Sequence, residues 1–291
     1  MEKATKPTKP AKSVKRAAAI QMSSTDSVID NLKLAKQWIG EAAKAGAELV
    51  VLPENVAFMG RSDLAKLEIS ESYSEVSNSE TKSETPIQTF LGNCAKEYNL
   101  WLLGGSIPIK TEKSDRVNAS SILWDNQGRK IARYDKIHLF DVAVADNEQY
   151  LESRSIAPGK EIICVDSPVG QLGLSICYDV RFPELYRALL QQGAEILCVP
   201  SAFTAITGAA HWESLLRARA IENLCYVIAP DQTGKHPNGR ETYGHSMIID
   251  PWGKILASIE QEPGFIIADI DLAYLRDIRE RFPALTHRTI V

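Results

Sequence analysis

The sequence predicts an α/β protein in four layers, helix–sheet–sheet–helix, assembled from two similar halves. Helix-period and strand-period segments alternate along the 291 residues, which points to sheets crossed by helices. The same serial order occurs twice, and each run ends in a hairpin. Short matches recur at corresponding places. Gly46-Ala47-Glu48-Leu49, closing at Pro53, mirrors Gly193-Ala194-Glu195-Ile196, closing at Pro200. The turn Asp125–Lys130 mirrors Asp250–Lys254 as D-x-x-G plus a basic residue. A half of this kind makes a sheet with helices on one face. Its other face stays apolar, and the second half covers it. The expectation is a single domain over residues 17–291 behind a flexible basic tail, residues 1–16. A chain of this length buries about three quarters of its unfolded surface, so it needs neither disulfides nor a metal to fold.

In the first run, Ala17–Met22 reads as a strand. A helix follows, with apolar residues at Val28, Ile29, Leu32, Ala35, Trp38, Ile39 and Ala42, and Gly46 just past its end. Ala47–Leu52 is a continuous apolar strand stopped by Pro53. Residues 60–85 are rich in Ser, Glu and Lys and read as the least structured internal stretch. Pro86 opens a helix, Trp101–Gly104 is a strand, and Ser120–Trp124 and Lys130–Tyr134 form a hairpin. In the second run, Leu172–Ile176 is a strand, Pro183–Gln192 a helix, Glu195–Val199 a strand, His211–Asn223 a helix and Tyr226–Ala229 a strand. The hairpin Ser246–Asp250 with Lys254–Ile259 closes it.

Charge narrows the partners. The net charge is −4. Residues 1–16 carry six basic groups against Glu2, so the body holds a surplus of nine negative charges. An acidic body excludes nucleic acid as a partner, because phosphate contacts need clustered Lys and Arg. The tail lacks the apolar segment of a secretory signal, and Pro7 and Pro10 disfavour an amphipathic presequence helix. No apolar run approaches the roughly 18 residues of a membrane span. Five cysteines, with no C-x-x-C, indicate neither a disulfide framework nor a zinc site and favour a reduced, cytoplasmic setting. The histidines show no metal-ligand spacing.

Reactive groups of α/β sheets gather at the carboxyl ends of strands. Glu54 follows one strand, Lys136 another, and Cys177 lies between a strand and a helix, where a tight turn can present it to backbone N–H groups. Its neighbours Tyr178, Asp179, Arg181 and Glu184 are polar, unlike those of the other cysteines. Position alone also permits a buried small apolar Cys177, the usual fate of this residue type, and a pair of solvated charges at Glu54 and Lys136.

Leu52-Pro53-Glu54, Tyr134-Asp135-Lys136-Ile137-His138-Leu139-Phe140-Asp141 and Ile176-Cys177-Tyr178-Asp179-Val180-Arg181-Phe182-Pro183-Glu184 resemble, in order, the three signature segments of the nitrilase (carbon–nitrogen hydrolase) superfamily. The resemblance spans residues 17–290. It implies an αββα sandwich with an internal pseudo-twofold, a Glu54–Lys136–Cys177 triad, no cofactor or metal, and a homodimer or higher homo-oligomer. A second glutamate accompanies the triad in that family; spacing places it at Glu152, with Glu148 as the competitor.

The implied chemistry suits these residue types. Cys177, its pKa lowered by Lys136, attacks an amide carbonyl. Glu54 moves the protons. Lys136 and the Tyr178 N–H hold the oxyanion, each such donor contributing roughly 3 kcal/mol. A thioester forms and is hydrolysed, while Glu152 orients Lys136 or the substrate amide.

Residues 200–253 are similar to the branch of deaminated glutathione amidases, notably in Pro200-Ser201-Ala202-Phe203-Thr204, His211-Trp212-Glu213 and Tyr243-Gly244-His245-Ser246. That resemblance implies hydrolysis of a small-molecule amide bearing carboxylates into 2-oxoglutarate and cysteinylglycine, a metabolite repair. Arg181 is then the expected carboxylate fork, Thr204 and Thr207 hydroxyl donors, Phe203 a pocket wall, and Tyr178 a further substrate-binding residue. An ω-amidase acting on 2-oxoglutaramate or succinamate has the same reacting residues. A true nitrilase and a non-catalytic scaffold of the same fold are the remaining alternatives.

Overall fold

Two sheets share one strand plan in the computed structural model, which describes residues 14–74, 85–112, 115–145 and 148–290. In the first sheet, β1 (Lys15–Gln21), β2 (Leu49–Val51) and β3 (Trp101–Leu103) run parallel. β4 (Ile107–Lys110) and β6 (Lys130–Asp135) both pair β5 (Val117–Trp124), which lies antiparallel to β3. Next along the chain come a separate ribbon, β7 (Asp141–Ala145) with β8 (Glu148–Leu151), and the short β9 (Cys164–Val165), which belongs to the second sheet. In the second sheet, β10 (Leu172–Leu174), β11 (Ile196–Cys198) and β12 (Tyr226–Ala229) are again parallel. A small hairpin, β13 (Thr233–Lys235) with β14 (Glu241–Tyr243), precedes β15 (Met247–Ile249) and β16 (Ile255–Ser258). β15 is antiparallel to β12, and β9 flanks β10 as β17 (Gly264–Ile270) flanks β1. This matched order is the expected pseudo-twofold.

Helix α1 (Val28–Lys44) links β1 to β2, and α2 (Pro86–Glu97) links β2 to β3. Helix α3 (Pro183–Gln191) links β10 to β11, and α4 (Ala205–Asn223) links β11 to β12. Ser27 caps α1, and Gly46, with φ +90°, ends it in the left-handed conformation a C′ residue needs. The strand period of two sorts the layers. Ala17, Ala19, Leu49, Val51 and Leu103 join Leu172, Leu174, Ile196 and Cys198 in the core between the sheets. Their neighbours Ala18, Ile20, Val50, Leu52 and Leu102 pack beneath α1 and α2. Each large apolar side chain so buried stabilises the fold by roughly 1.5–3 kcal/mol.

Several elements differ from the sequence pattern. β1 starts at Lys15, where Lys15 meets Glu48 at 2.6 Å and Arg16 meets Asp269 at 3.1 Å. The residues before Val14, and those at 75–84 within the polar stretch, lie outside the described residues. α4 begins at Ala205, six residues before the predicted start. β17 and α5 (Leu272–Arg281) were not among the predicted elements; β17 returns the chain to the edge of the first sheet. Among the described residues no helix is long and apolar enough to cross a membrane.

Candidate active site

The carboxyl ends of β2, β6 and β10 converge on one cleft of about 490 Å³, including the part open to solvent. Glu54, Lys136, Glu152 and Cys177 all line it. Close backbone approach aims the first two. A Cβ on Gly105 would fall 1.9 Å from the Pro53 carbonyl, and one on Gly159 would fall 2.1 Å from that of Asp135. Only glycine lets these loops press against the residues preceding Glu54 and Lys136. Asn55 (φ +56°) then turns the chain away, its N–H donating to Ser106 Oγ at 2.9 Å.

Lys136 is 2% exposed and fully engaged. Its Nζ donates to Glu54 Oε1 at 2.8 Å and lies 2.9 Å from both carboxylate oxygens of Glu152. The other Glu54 oxygen accepts from Ala202 N–H at 2.9 Å, and Glu152 Oε2 accepts from Phe140 N–H at 2.7 Å. Glu152, in the short turn after β8, is thus a partner of Lys136; the Glu148 side chain lies outside the described residues.

Cys177 opens a single turn of 3₁₀ helix, Cys177–Arg181, with φ +49°. That conformation is strained for a residue with a Cβ and is typical of a functional elbow. Pro200 O accepts the Cys177 N–H at 2.9 Å. Asp179, fully buried, locks the elbow to the Lys136 segment. It accepts from Ile176 N–H at 2.8 Å, Tyr134 OH at 2.6 Å and His138 N–H at 3.0 Å, and its Oδ1 lies 2.7 Å from His138 Nδ1. Arg219, from α4, donates to Val180 O at 2.9 Å and holds the same turn from behind.

The charges set the resting protonation states. Burial pushes the Glu54 carboxyl up, but the Lys136 ammonium outweighs it and holds Glu54 below its ordinary value. Burial alone would lower Lys136; Glu152 and Glu54 together raise it instead. The Cys177 thiol differs from the sequence expectation. Burial and the Glu54 charge push it well above its ordinary value, and Lys136 only partly offsets them. The resting state is therefore a carboxylate, an ammonium and a neutral thiol.

Tyr178, Phe203 and Thr204 line the cleft as expected, with Thr204 Oγ1 2.7 Å from Thr207 Oγ1. Arg181 does not. Its guanidinium lies over the Phe203 and Tyr178 rings, and Nη1 is 3.3 Å from His211 Nδ1. Asp179, two residues before it, is already occupied by Tyr134, His138 and Ile176. Besides Lys136, the cations that line the cleft are Arg240 and Lys66, which local spacing did not mark. Arg240 comes from the turn between β13 and β14, where Asn238-Gly239 reads as an ordinary surface bend. Its Nη2 donates to Ala202 O, its guanidinium covers the Tyr150 ring, and its Nε has no partner among the described residues.

Comparison with known proteins gives the family. The carbon-nitrogen hydrolase family model matches residues 16–280. A deaminated glutathione amidase from Synechocystis sp. is 47% identical over 279 residues, covering 94% of this chain and 98% of that one. The human deaminated glutathione amidase is 41% identical over 275 residues, covering 93% and 81%. Among solved structures, the C. elegans NitFhit protein superposes with a TM-score of 0.86 at 38% identity; the match covers 96% of this chain and 66% of that longer chain. Saccharomyces cerevisiae Nit3, a member of branch 10 of the nitrilase superfamily, gives 0.83 at 30% identity, with 95% and 97% covered. Sequence and fold agree over nearly the whole chain, which belongs to the carbon–nitrogen hydrolase family and is a hydrolase of non-peptide C–N bonds.

Proposed function

We propose that the protein is a thiol amidase whose substrate is deaminated glutathione, cleaved to 2-oxoglutarate and cysteinylglycine. The observation that carries this reading is one cleft in which Cys177 shares space with the Glu54–Lys136–Glu152 chain. The relatives named for that activity support the substrate. Arg240, in the same cleft, takes the place expected of Arg181: its planar guanidinium suits the carboxylate of the 2-oxoglutaryl group.

The protonation states define the steps. Cys177 sulfur attacks the amide carbonyl as its proton passes to Glu54. That transfer removes the Glu54 charge opposing the thiolate and leaves Lys136 to stabilise it. Lys136 Nζ and the Tyr178 N–H, which has no acceptor among the described residues, hold the oxyanion. The C–N bond breaks as Glu54 returns its proton to the departing amine. A water then gives a proton to Glu54 and attacks the thioester. The C–S bond breaks, the acid is released, and the thiol recovers its proton. Glu152 keeps Lys136 in place throughout.

Residues 17–291 act as one catalytic domain in this reading, in the cytoplasm. Ile221, Trp252 and Phe282, exposed and adjoining, form the contact of a homodimer. The test of function compares kcat/KM for deaminated glutathione with that for 2-oxoglutaramate and succinamate, in the unaltered protein and in Cys177→Ala. Deaminated glutathione is expected to be preferred, and Cys177→Ala to be folded and inactive. A strong preference for the smaller amides overturns the substrate, and near-native turnover by the variant overturns the mechanism.

A further inference from the structure

Lys66 stands on a short 3₁₀ turn, Asp63–Leu67, and its half-buried side chain lines the active-site cleft. It also borders a second, smaller space of about 250 Å³, including the part open to solvent, together with Phe58, Ser106 and Ile107. The two spaces meet at Asn55 and Lys66, whereas Arg240 lines only the first. Lys136 is committed to two glutamates, and Arg240 is assigned above to the carboxylate of the acyl half. Lys66 has no hydrogen bond or ion pair among the described residues. Its ammonium acts on the Glu54 carboxylate only through space, so a carboxylate bound in the cleft would give it its first direct ion pair among the described residues.

The proposed substrate carries two carboxylates, one on each side of the scissile amide. The acyl side stays on Cys177 after the first step; the amine side departs as cysteinylglycine. A small ω-amide releases only ammonia and would need no second cation. We propose that Lys66, on the wall of the active-site cleft, binds the terminal carboxylate of the departing dipeptide. This assignment rests on the deaminated glutathione reading and makes Lys66 the residue that selects a peptide-like leaving group.

The test uses deaminated glutathione and its analogue with a C-terminal carboxamide, with the unaltered protein, K66M and K66R. The unaltered protein should disfavour the carboxamide about tenfold in kcat/KM, chiefly through KM. K66M should handle the two within about twofold, and K66R should restore most of the preference. A readout without any variant accompanies it: cysteinylglycine should inhibit about tenfold more strongly than cysteinylglycinamide. Turnover with no discrimination by the unaltered protein, or a tenfold preference surviving in K66M, overturns the Lys66 assignment alone. No turnover of deaminated glutathione by the unaltered protein overturns the substrate reading and this assignment with it.

Discussion

Asp179→Ala would remove one fully buried carboxylate and, with it, the link between the two halves of the active site. Tyr134 and His138, which donate to it, bracket Lys136; Ile176, which also donates, precedes Cys177. The distance between ammonium and sulfur therefore depends on this side chain. A hydrogen bond to a charged group contributes about 1.5–3 kcal/mol net. Four such contacts set an upper bound of about 6–12 kcal/mol on the same scale. Alanine leaves space for water to reach some of the stranded donors, so the expected loss is about 3–5 kcal/mol, that of breaking a buried charged network. Turnover should fall about a hundredfold, the effect of a displacement near 1 Å at a reacting group. Asp179→Asn should lie between, since its amide oxygen keeps one acceptor. Urea unfolding followed by circular dichroism gives the stability, and kcat under folding conditions gives the alignment. Stability within about 1 kcal/mol of the parent, with unchanged kcat, would refute the idea that Asp179 sets the geometry.

Three further expectations follow from the charges and the surface. Because Glu54 lies below its ordinary 4.5, while Cys177 and Lys136 lie above 9.0 and 10.5, kcat/KM should be flat from about pH 5 to pH 9. An acid limb centred above about pH 6 would contradict Glu54 as the base. By linkage, the stability contributed by ionised Glu54 is present at neutral pH and is lost as pH falls through its depressed value. That of Lys136 is lost only as pH rises through its raised one. Burial pushes the Asp231 carboxyl well above its ordinary value, which favours its protonated form. Its Oδ1 accepts from the Phe203 and Gln232 N–H groups at 2.8 and 3.0 Å. Asp231→Asn should thus stay within about 1 kcal/mol of the parent in urea unfolding, whereas Asp231→Leu strands both donors and should lose about 2–3 kcal/mol; a large loss in the Asn variant would show the carboxyl to be ionised. Trp252→Glu places a charge on the proposed dimer contact and should convert the dimer to monomer in analytical ultracentrifugation; a monomeric unaltered protein removes that contact from consideration.

Local periodicity was enough for the helices and parallel strands of both halves, because each depends on residues within a dozen positions. It missed β17, whose place is set by a partner some 250 residues away, and the start of α4, where Ala205–Ala210 has no apolar stripe. Glu54, Lys136 and Cys177 were legible because each sits in a distinctive segment at a strand end. Glu152 needed the family spacing, and its tie to Lys136 needed the fold. Arg240 and Lys66 occupy a turn and a polar loop that look ordinary in one dimension. Only the packed chain brings them to the cleft, and only it diverts Arg181 onto aromatic faces. The protonation of Cys177 was likewise a tertiary outcome. A nearby lysine suggests a thiolate, but the thiol responds to the sum of burial and every facing charge, and here burial and Glu54 outweigh Lys136. By itself the sequence determined which groups are available and the order of the elements carrying them. Distances, desolvation and the sign of each electrostatic balance were decided by tertiary structure, because they arise between residues that chain order keeps apart.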